Sequence, residues 1–482
     1  MKIAFVHPNW IDGLGAFSKI AKKRSPAPNM GTLYLAAIAE HLGHQVRMFD
    51  CDVDDLSVQN VAFLLAKEGY EIVGITATSP IFHKAEELAR LLKESGCKIK
   101  VLIGGTHINI FKKDVFSDCF DYGFFGESER NFEQFLKILE RGDLDFSTMK
   151  GFIYRDHGQV VQTVAGEMIT DLDSLPFPAV HLLNLDHYIS TFGRKYKPKR
   201  VISIVPTRGC PFKCVFCSEA RLNNKLRCRS PKNVVDEMEH WHKTLGVSHF
   251  WFAESNITLV RERIEGICHE IIRRKLNITF EGATRADLVD EKLFRLMKSA
   301  GLIRISYGLE TGSPRIMKII RKEESLEDIR RAIQLSDSLD IETNVSAMIG
   351  LPGDTRESVN ETINFIRDTP GILYTTFGIA NPYPGSEMYD WALVGKHGFQ
   401  LIEKEYSQYS RYERSPVKVN DLGPEDLLRL QRIGLLKIHL KPRRMIAAIR
   451  MIGFVEIAGL FFNMVGFVIR EKVFSGIVRK SR

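Results

Sequence analysis

Short apolar runs alternate with amphipathic stretches along residues 1–150. The runs are typical of buried strands, and the amphipathic stretches repeat their apolar positions at the helical period. The predicted strands cover residues 3–6, 46–49, 72–76 and 101–103, and the predicted helices cover residues 33–42 and 85–93. This alternation predicts an α/β domain over residues 1–150 with an open, doubly wound, Rossmann-like sheet. Ligands of such sheets bind outside the carboxyl ends of the strands, here the loops at residues 9–15, 78–80, 104–107 and 126–127.

A second array of strands and helices begins near residue 196, after a less regular connector at residues 151–195 and a basic patch at residues 194–200. Its predicted strands cover residues 201–205, 249–252, 279–281, 303–308, 343–349 and 375–380. Helical patterns separate them, for example at residues 234–245, 291–299 and 326–339. This order predicts a partial (β/α)6 TIM-like barrel over residues 196–395, with its active site at the carboxyl ends of the strands.

Residues 396–482 lose the strand pattern and are predicted to form a helical C-terminal region. Within it, residues 451–469 are almost wholly apolar, interrupted by Glu456 and Asn463, and basic residues flank the run on both sides. The run allows three interpretations: a membrane span, a helix that lies on a membrane surface, or a helix packed over the barrel. Glu456 disfavours the span, and the pattern leaves the other two open.

The composition narrows the class of protein and its possible partners but does not indicate a function. The chain has 482 residues, of which 44% are hydrophobic and 26% charged, and its formal net charge is +8. These values are typical of a folded protein with more than one domain. The positive charge is spread thinly, so nucleic acid is not an expected partner. The strand-like start at Lys2 lacks the pattern of a secretory signal, and we expect a cytoplasmic protein, either free or at the inner face of the membrane.

Three of the eight cysteines, Cys210, Cys214 and Cys217, lie on one short segment directly after a predicted strand. Such a group of soft thiolates suits an iron–sulfur cluster or zinc. A cluster normally takes four protein ligands, so three cysteines leave one iron open to chelate the amino and carboxylate groups of a small molecule. Structural zinc sites are closed, usually by two pairs of ligands, and no second pair stands near this segment, which favours the cluster. The scattered cysteines are predicted to be ordinary thiols: Cys51, Cys97, Cys119, Cys228 and Cys268.

The cysteine segment is similar to the signature of the radical S-adenosylmethionine superfamily, C-x-x-x-C-x-aromatic-C, which Cys210, Cys214, Phe216 and Cys217 match. The resemblance implies that the three cysteines hold a [4Fe–4S] cluster and that Phe216 packs near the adenine of S-adenosylmethionine. It also implies that reduction of this cofactor yields a 5′-deoxyadenosyl radical.

The ends of the later strands also resemble family signatures. The resemblance implies that Glu254 binds the cofactor's amino group, although the glycines usual at that turn are missing. It implies that Arg285 pairs with the cofactor's carboxylate, and Glu310 with its ribose or amino group. Turns at residues 350–355 and 382–386 complete the series. Taken singly, Arg285 and Glu310 also fit an ordinary ion pair and the turns fit ordinary loop closures, but their order along the chain favours a cofactor site.

An open α/β domain ahead of such a barrel resembles the cobalamin-binding class of the superfamily, which includes magnesium-protoporphyrin cyclase-like enzymes and methylases of unactivated carbon. The resemblance implies that Gly104, Gly105, Thr106 and His107 contact cobalamin, and glycines at strand ends let a flat macrocycle approach the backbone. The D-x-H-x-x-G motif, which supplies a histidine ligand to cobalt in other cobalamin proteins, is absent. A sheet that keeps the fold and only shapes the substrate pocket is therefore the alternative.

The expected function is a radical S-adenosylmethionine enzyme that methylates an unactivated carbon of a small lipophilic substrate, such as a tetrapyrrole, hopanoid or other lipid, with the help of cobalamin. The implied electron donor is a flavodoxin or ferredoxin. A cyclase, oxidase or carbon–carbon coupling enzyme without methyl transfer is the alternative in chemistry. A non-catalytic, metal-stabilised protein of the membrane surface is the alternative of another class. A methylthiotransferase acting on transfer RNA is disfavoured, because Cys51, Cys97 and Cys119 lack the context of that family's second cluster.

Overall fold

The computed structural model describes residues 1–11, 18, 27–142, 144–190, 199–455, 457–459, 461 and 466. These residues form two compact units. The N-terminal unit comprises most of the described residues up to Ile189 together with Arg227–Arg229, and the second unit, here called the barrel unit, comprises the rest.

The N-terminal unit is built on a seven-stranded sheet. Its strands are β1 Lys2–His7, β2 Gln45–Asp50, β3 Ile72–Thr76, β4 Lys100–Gly104, β5 Tyr122–Phe124, β6 Phe152–Asp156 and β7 Gln159–Gln162. The order is β2-β1-β3-β4-β5-β6-β7, in which β1 to β5 are parallel and β6 and β7 are antiparallel additions at one edge. The helices are Met30–His41, Val58–Glu68, Phe82–Glu94, Thr106–Phe111 and Glu129–Arg141. The predicted open, doubly wound α/β sheet is confirmed.

Apolar strands and amphipathic helices bury this sheet. Strand β3 is buried at all five positions, and the helix Phe82–Glu94 turns Ala85, Leu88 and Leu92 into the same core. Residues three and four apart share one face of a helix, which is why this spacing fits the surface of a sheet. The helix Val58–Glu68, which the pattern did not single out, begins at Ser57, whose side chain accepts from the backbone of Asn60.

The hairpin β6–β7 lies in the region predicted to be a connector. Its strands are joined by the turn at His157–Gly158, both with positive φ, and Phe152 packs against Tyr122 and Phe124 on the neighbouring strand. The sheet therefore continues to residue 162. Of the basic patch at residues 194–200, residues 194–198 lie outside the described residues.

The barrel unit contains six parallel strands that follow one another in chain order. These six strands are β9 Lys199–Ile204, β12 His249–Phe252, β13 Thr279–Thr284, β14 Leu302–Glu310, β15 Glu342–Ile349 and β16 Ile372–Ile379. Three short strands also occur: β8 Ile189–Ser190 precedes β9, and β10 Thr207–Arg208 and β11 Arg227–Cys228 lie between β9 and β12. Two further short strands, β17 Phe399–Leu401 and β18 Val417–Val419, pair antiparallel. The predicted parallel, barrel-like array of six strands is confirmed.

Helices connect these strands as the sequence pattern predicts. They are Glu219–Leu222, Pro231–Leu245, Arg261–Arg273, Glu291–Ser299, Pro314–Ile319, Leu326–Ser338, Arg356–Asp368 and Glu387–Val394, followed by the C-terminal helices Pro424–His439 and Pro442–Ile452. The carboxyl ends of the six strands therefore share one edge, where the predicted site residues follow them.

Arg444 fastens the helix Pro442–Ile452 to the barrel unit. Its side chain is buried and donates at 2.6 to 3.1 Å to four carbonyl oxygens, those of Ile366, Thr369, Ile372 and Ile438. Ile372 is the first residue of β16, so this helix docks at the amino-terminal end of the sheet.

The apolar run predicted at residues 451–469 lies largely outside the described residues, which beyond 455 include only 457–459, 461 and 466. Among all the residues that the structure describes, none belongs to a helix with the length and apolar character needed to cross a bilayer.

Candidate active site

The loop with the three cysteines begins where β9 and β10 end. Gly209 turns the chain with φ of +89°, and a Cβ at this position would lie 2.3 Å from the carbonyl oxygen of Lys225. The next amide, of Cys210, donates to the carbonyl oxygen of Asn223 at 3.1 Å. Only glycine allows this close approach, so the segment 223–225 fixes the start of the loop.

Val215 anchors the middle of the same loop. It is buried, its amide donates to the carbonyl oxygen of Ile320 at 3.0 Å, and its carbonyl accepts from the amide of Met388 at 2.9 Å. The amide of Cys217 donates to the carbonyl oxygen of Cys214 at 3.1 Å, which closes a turn. The loop is thus held from two later parts of the barrel unit.

The thiols of the loop are partly buried and influence one another. The pKa of Cys214 is raised to about 11, chiefly by burial; Lys322 opposes the rise and the neighbouring Cys217 adds to it. Burial also raises the pKa of Cys217, and the charge of Cys210 adds to that rise. Three thiolates that influence one another on one partly buried loop are stabilised by a bound cation, and soft sulfur donors suit iron. The donor set therefore fits a [4Fe–4S] cluster with one iron not bound by these cysteines. Phe216, between two of them, is half-buried.

The side chain of Arg285, which directly follows β13, forms several hydrogen bonds with other residues of the protein. Its Nε and Nη2 donate to the carboxylate of Asp287 at 3.0 and 2.8 Å. Its Nη1 and Nη2 donate to the carbonyl oxygens of Lys322 and Glu323 at 2.9 and 2.6 Å. The guanidinium also stacks on Phe212 of the cysteine loop, with Cζ 4.0 Å from the ring centroid. Arg285 therefore braces the cysteine loop against residues 322–323.

Lys322 and Glu324 are site residues that the sequence analysis missed. Lys322 Nζ lies 2.8 Å from Glu324 Oε2, and Glu324 Oε1 accepts from the amide of Ala286 at 2.6 Å. Both side chains are buried. They follow the helix Pro314–Ile319 in a segment where Arg321 and Glu323 have positive φ, and no motif spacing marks such a turn.

Glu310 belongs to the same polar cluster. It has φ of +60° at the end of β14, and a Cβ on Gly308 would lie 2.5 Å from its carboxylate and 3.1 Å from Lys322 Nζ. Burial raises the pKa of Glu310, while the positive charges of Lys322 and Arg411 lower it. Arg285 pairs with Asp287, whereas Lys322 interacts with Glu310 and Glu324, so these residues form a larger polar cluster than the simple ion pair considered above.

Glu254, at the turn after β12, is held by one of its two oxygens. Oε2 accepts from Thr207 at 2.6 Å and from Arg263 at 2.9 Å, and the side chain is fully buried. Oε1 is buried without a hydrogen-bond partner among the described residues. Burial raises the pKa of Glu254 and Arg263 lowers it. One acceptor of this carboxylate is therefore available to a ligand.

A group of tyrosines follows the last barrel strand. Tyr389 and Tyr406 share a hydrogen bond of 2.8 Å between their hydroxyls, and the ring of Tyr409 packs edge-on against Tyr406 and at 6.0 Å from Tyr383. The hydroxyl of Tyr409 is buried without a hydrogen-bond partner among the described residues. Tyr383 lies in the predicted turn 382–386, which places this aromatic group at the carboxyl edge of the sheet.

In the N-terminal unit, Gly104 and Gly105 end β4 as predicted. Gly105 has φ of +98°, and a Cβ there would lie 2.7 Å from the carbonyl oxygen of Ala77. Thr106 then starts the helix Thr106–Phe111 and is exposed. Gly105 is thus required by the packing of this turn against Ala77, whereas a Cβ at Gly104 would meet only the carbonyl oxygen of Phe124, at 4.0 Å. The backbone of Gly104 therefore borders nearly open space at the carboxyl end of β4. This fits a large flat ligand such as cobalamin.

His107 faces the core of the N-terminal unit. It is 3% exposed, its Nδ1 lies 2.9 Å from Ser79 Oγ, and its ring packs against Phe82 and Phe111. Burial lowers the pKa of His107 to about 4, so the ring is neutral at physiological pH. These contacts explain the residue without a ligand, and a cobalamin contact of this ring stays a prediction.

Family models match two parts of the chain. That of the radical SAM superfamily matches residues 204–366, and that of the B12 binding domain matches residues 20–136. These ranges cover the cysteine loop with the four barrel strands β12 to β15, and strands β2 to β5 of the N-terminal sheet.

Two relatives cover most of the chain. An uncharacterized methyltransferase from Pyrococcus horikoshii is 28% identical over 458 residues, 94% of each chain. The anaerobic magnesium-protoporphyrin IX monomethyl ester cyclase of Rubrivivax gelatinosus is 32% identical over 400 residues, 81% of this chain and 69% of that one.

Among solved structures, a radical S-adenosylmethionine methyltransferase from Kitasatospora setae with cobalamin and a [4Fe–4S] cluster bound superimposes with a TM-score of 0.68. The match covers 91% of this chain and 88% of that one at 16% identity, which shows a common fold.

Proposed function

Since this chain belongs to the radical S-adenosylmethionine enzymes that carry a B12-binding domain, we propose that it methylates an unactivated carbon of a lipophilic substrate. The single observation that carries the proposal is the pairing of a braced three-cysteine loop in one unit with a glycine-lined sheet edge in the other. When bound, the [4Fe–4S] cluster and S-adenosylmethionine supply a 5′-deoxyadenosyl radical that abstracts hydrogen, and cobalamin supplies the methyl group.

In this proposal Cys210, Cys214 and Cys217 hold the cluster and leave one iron for S-adenosylmethionine. Phe216, half-buried in the same loop, lies against the adenine. Glu254 accepts a hydrogen bond from the cofactor's amino group through Oε1, the oxygen that has no partner among the described residues. Glu310, at the end of β14, binds the ribose or amino group of the cofactor, and the charge of Lys322 favours its carboxylate form.

For Arg285 we propose a different role from the one that the family resemblance implies. Its bonds to Asp287 and to the carbonyls of Lys322 and Glu323 engage each of its three nitrogens. The side chain therefore orients Phe212 and the cysteine loop. These four bonds use four of the five N–H donors of a guanidinium, so at most one N–H, on Nη1, is left for the cofactor's carboxylate.

We propose that Gly104, Gly105 and Thr106 line the cobalamin-binding edge of the N-terminal unit. The backbone of Gly104 borders nearly open space, Gly105 turns the chain there with positive φ, and Thr106 is exposed directly after them.

A second reaction, oxidative ring closure without methyl transfer, is favoured by one observation, the 32% identity to a cyclase over 400 residues. Labelled cofactor separates the two reactions. The reconstituted enzyme is incubated with S-adenosylmethionine that carries a trideuterated methyl group, a reductant and candidate tetrapyrrole or lipid extracts. Methylation predicts both S-adenosylhomocysteine and 5′-deoxyadenosine, with the label in the product. Ring closure predicts 5′-deoxyadenosine without labelled product, and that result would overturn the proposal.

The proposed lipophilic substrate rests on two apolar features of the barrel unit. The tyrosine group Tyr383, Tyr389, Tyr406 and Tyr409 offers aromatic surface at the carboxyl edge. In the C-terminal region Phe454 and Val455 are 70% and 78% exposed next to a helix that carries Arg443 and Arg450, a combination that suits the surface of an anionic membrane.

Vesicle binding tests the membrane contact. The wild-type protein is expected to sediment with vesicles that contain anionic lipid, and a Phe454→Ser/Val455→Ser variant is expected to stay in the supernatant. A variant of exposed Phe63 in the N-terminal unit, Phe63→Ser, serves as the matched control. Equal sedimentation of all three proteins would contradict the membrane contact. A truncation after Lys441 is unsuitable, because it also removes the buried Arg444.

We further propose a reduced flavodoxin or ferredoxin as the electron donor. The chain carries a formal net charge of +8, and opposite charge speeds the encounter of redox partners.

A further inference from the structure

The carboxyl edge of the N-terminal sheet holds a group of ligand-type side chains that the proposed function does not use. His7 ends β1, Asp50 ends the neighbouring strand β2, and Asp52 follows two residues later. Because β1 and β2 run parallel with His7 opposite Asp50, residues far apart in sequence meet here. One ligand atom of each side chain lies within 4.8 Å of the other two.

Hydrogen bonds from the surroundings hold both carboxylates in place. Asp50 Oδ2 accepts from the hydroxyl of Tyr188 at 2.5 Å. The oxygens of Asp52 accept from the amides of Trp10 and Ile11 at 3.0 to 3.1 Å. Each carboxylate oxygen can accept more than one bond, so both keep lone pairs for a further partner. The carboxylates are thus oriented before any ligand arrives.

One oxygen in the group lacks a partner. Asp50 is 7% exposed, and its Oδ1 is buried without a hydrogen bond among the described residues. The Nδ1 of His7 lies 3.9 Å away, beyond hydrogen-bond distance. A buried carboxylate oxygen without a donor is costly, and it indicates a missing ligand rather than a finished network.

The local charge is also unbalanced. Burial and the charges of three carboxylates, those of Asp50, Asp52 and Asp54, raise the pKa of the Cys51 thiol, and Lys84 lowers it. The ammonium of Lys84 is itself bonded to the carbonyl of Asn9 at 2.9 Å. Two histidines face the carboxylates: His7, and His187 at 3.7 Å from Asp54. A neutral imidazole leaves the negative charge in place, whereas a cation between His7 and the two aspartates removes it.

We propose that His7, Asp50 and Asp52 bind a first-row divalent cation of the manganese, iron or zinc type. One imidazole and two carboxylates are a ligand set that such ions accept. Bonds of about 2.0 to 2.2 Å to one ion place its ligand atoms about 3 to 4.4 Å apart, close to the spacing in the structure. The ion ties the end of β1 to the end of β2, and through Asp50 to Tyr188. It thereby stiffens the edge of the sheet at which doubly wound folds bind their ligands.

Manganese is the probe of choice, because it is paramagnetic and avoids thiolates. The protein is reconstituted with its cluster oxidised and with cob(III)alamin, states without an electron paramagnetic resonance signal, and is then titrated with Mn2+. Loss of the six-line signal of free Mn2+ is expected to saturate at one ion per chain. Replacing a ligand, in His7→Gln or Asp50→Asn, is expected to weaken binding by about 100-fold or more.

Asp54→Asn is the matched control, since it removes a neighbouring carboxylate outside the ligand group and is expected to change affinity by about twofold. The ion should also raise the midpoint of thermal unfolding of the wild-type protein, because it binds only the folded state. Two results would overturn the proposal. One is the absence of binding by the wild-type protein to both Mn2+ and Zn2+. The other is unchanged Mn2+ binding in His7→Gln and Asp50→Asn, which would place the ion elsewhere.

Discussion

The carboxyl edges of the two parallel sheets differ in what they are built from: side chains in the barrel unit and backbone in the N-terminal unit. In the barrel unit this edge carries side chains that contact one another. Arg285 stacks on Phe212 of the cysteine loop, and Lys322 interacts with the carboxylates of Glu310 and Glu324. In the N-terminal unit the edge near β4 is made of backbone, where Gly105 lies so close to Ala77 that no side chain fits. The first arrangement presents fixed charges and sulfur to a small charged cofactor. The second leaves the backbone of the neighbouring Gly104 beside nearly open space, since a Cβ there would meet only one atom, at 4.0 Å.

Removal of one cysteine thiol from the edge of the barrel unit should have the largest effect on activity. In Cys214→Ala two sulfur ligands are left, and an iron of the cluster loses its anchor. Formation of 5′-deoxyadenosine is expected to fall to the level without enzyme, and bound iron to fall well below about four per chain. Cys97→Ala, a free cysteine of the N-terminal unit, is the control and should keep both values. Product formation by Cys214→Ala at the wild-type rate would contradict the cluster assignment.

The buried charges of the barrel edge come next. Lys322→Met leaves Glu310 and Glu324 buried without their shared cation, and loss of one partner from such a network costs about 3 to 5 kcal/mol. We expect the denaturant midpoint of the variant to fall accordingly, with Lys318→Met, an exposed neighbour, unchanged. An unchanged midpoint in Lys322→Met would show that the cluster does not stabilise this edge.

A substitution at the glycine-lined edge of the N-terminal unit should have a smaller effect, and one that is confined to bound cobalt. Gly105→Ala forces a Cβ against Ala77 at a φ that only glycine adopts easily, a strain of about 2 kcal/mol. Bound cobalt is expected to fall while bound iron stays at the wild-type level. Gly126→Ala, which also has positive φ but no atom within 4 Å, is the control for strain alone. Equal amounts of bound cobalt in the two variants would show that this edge does not take part in cobalamin binding.

The fold was predictable where apolar runs were buried on both faces. The strands β3 and β12 and the helix Glu291–Ser299 lie where the pattern placed them, because parallel strands and the helices that cover them carry strong periodicity. Strand β5 has three residues, and β7 is largely exposed, so neither leaves such a signal. The sheet edge at residues 152–162 was therefore not predicted.

The site was predictable as a set of positions but not as a set of contacts. Cys210, Cys214 and Cys217 stand on one loop, so spacing alone brings them together. Arg285 and Glu254 were identified by their places after strands, yet the partners that bind them come from other segments. Lys322 and Asp287 fix Arg285, and Arg263 and Thr207 fix Glu254. Such contacts depend on the packing of loops, which local sequence does not encode.

Arg444 also decides where the chain leaves the barrel unit. Its four carbonyl partners include that of Ile372, at the amino-terminal end of β16, whereas the cysteine loop follows the carboxyl end of β9. The exposed Phe454 and Val455 follow shortly after this docked helix, which ends at Ile452. The bonds of Arg444 therefore fix the part of the barrel unit from which the chain that carries these two apolar side chains departs.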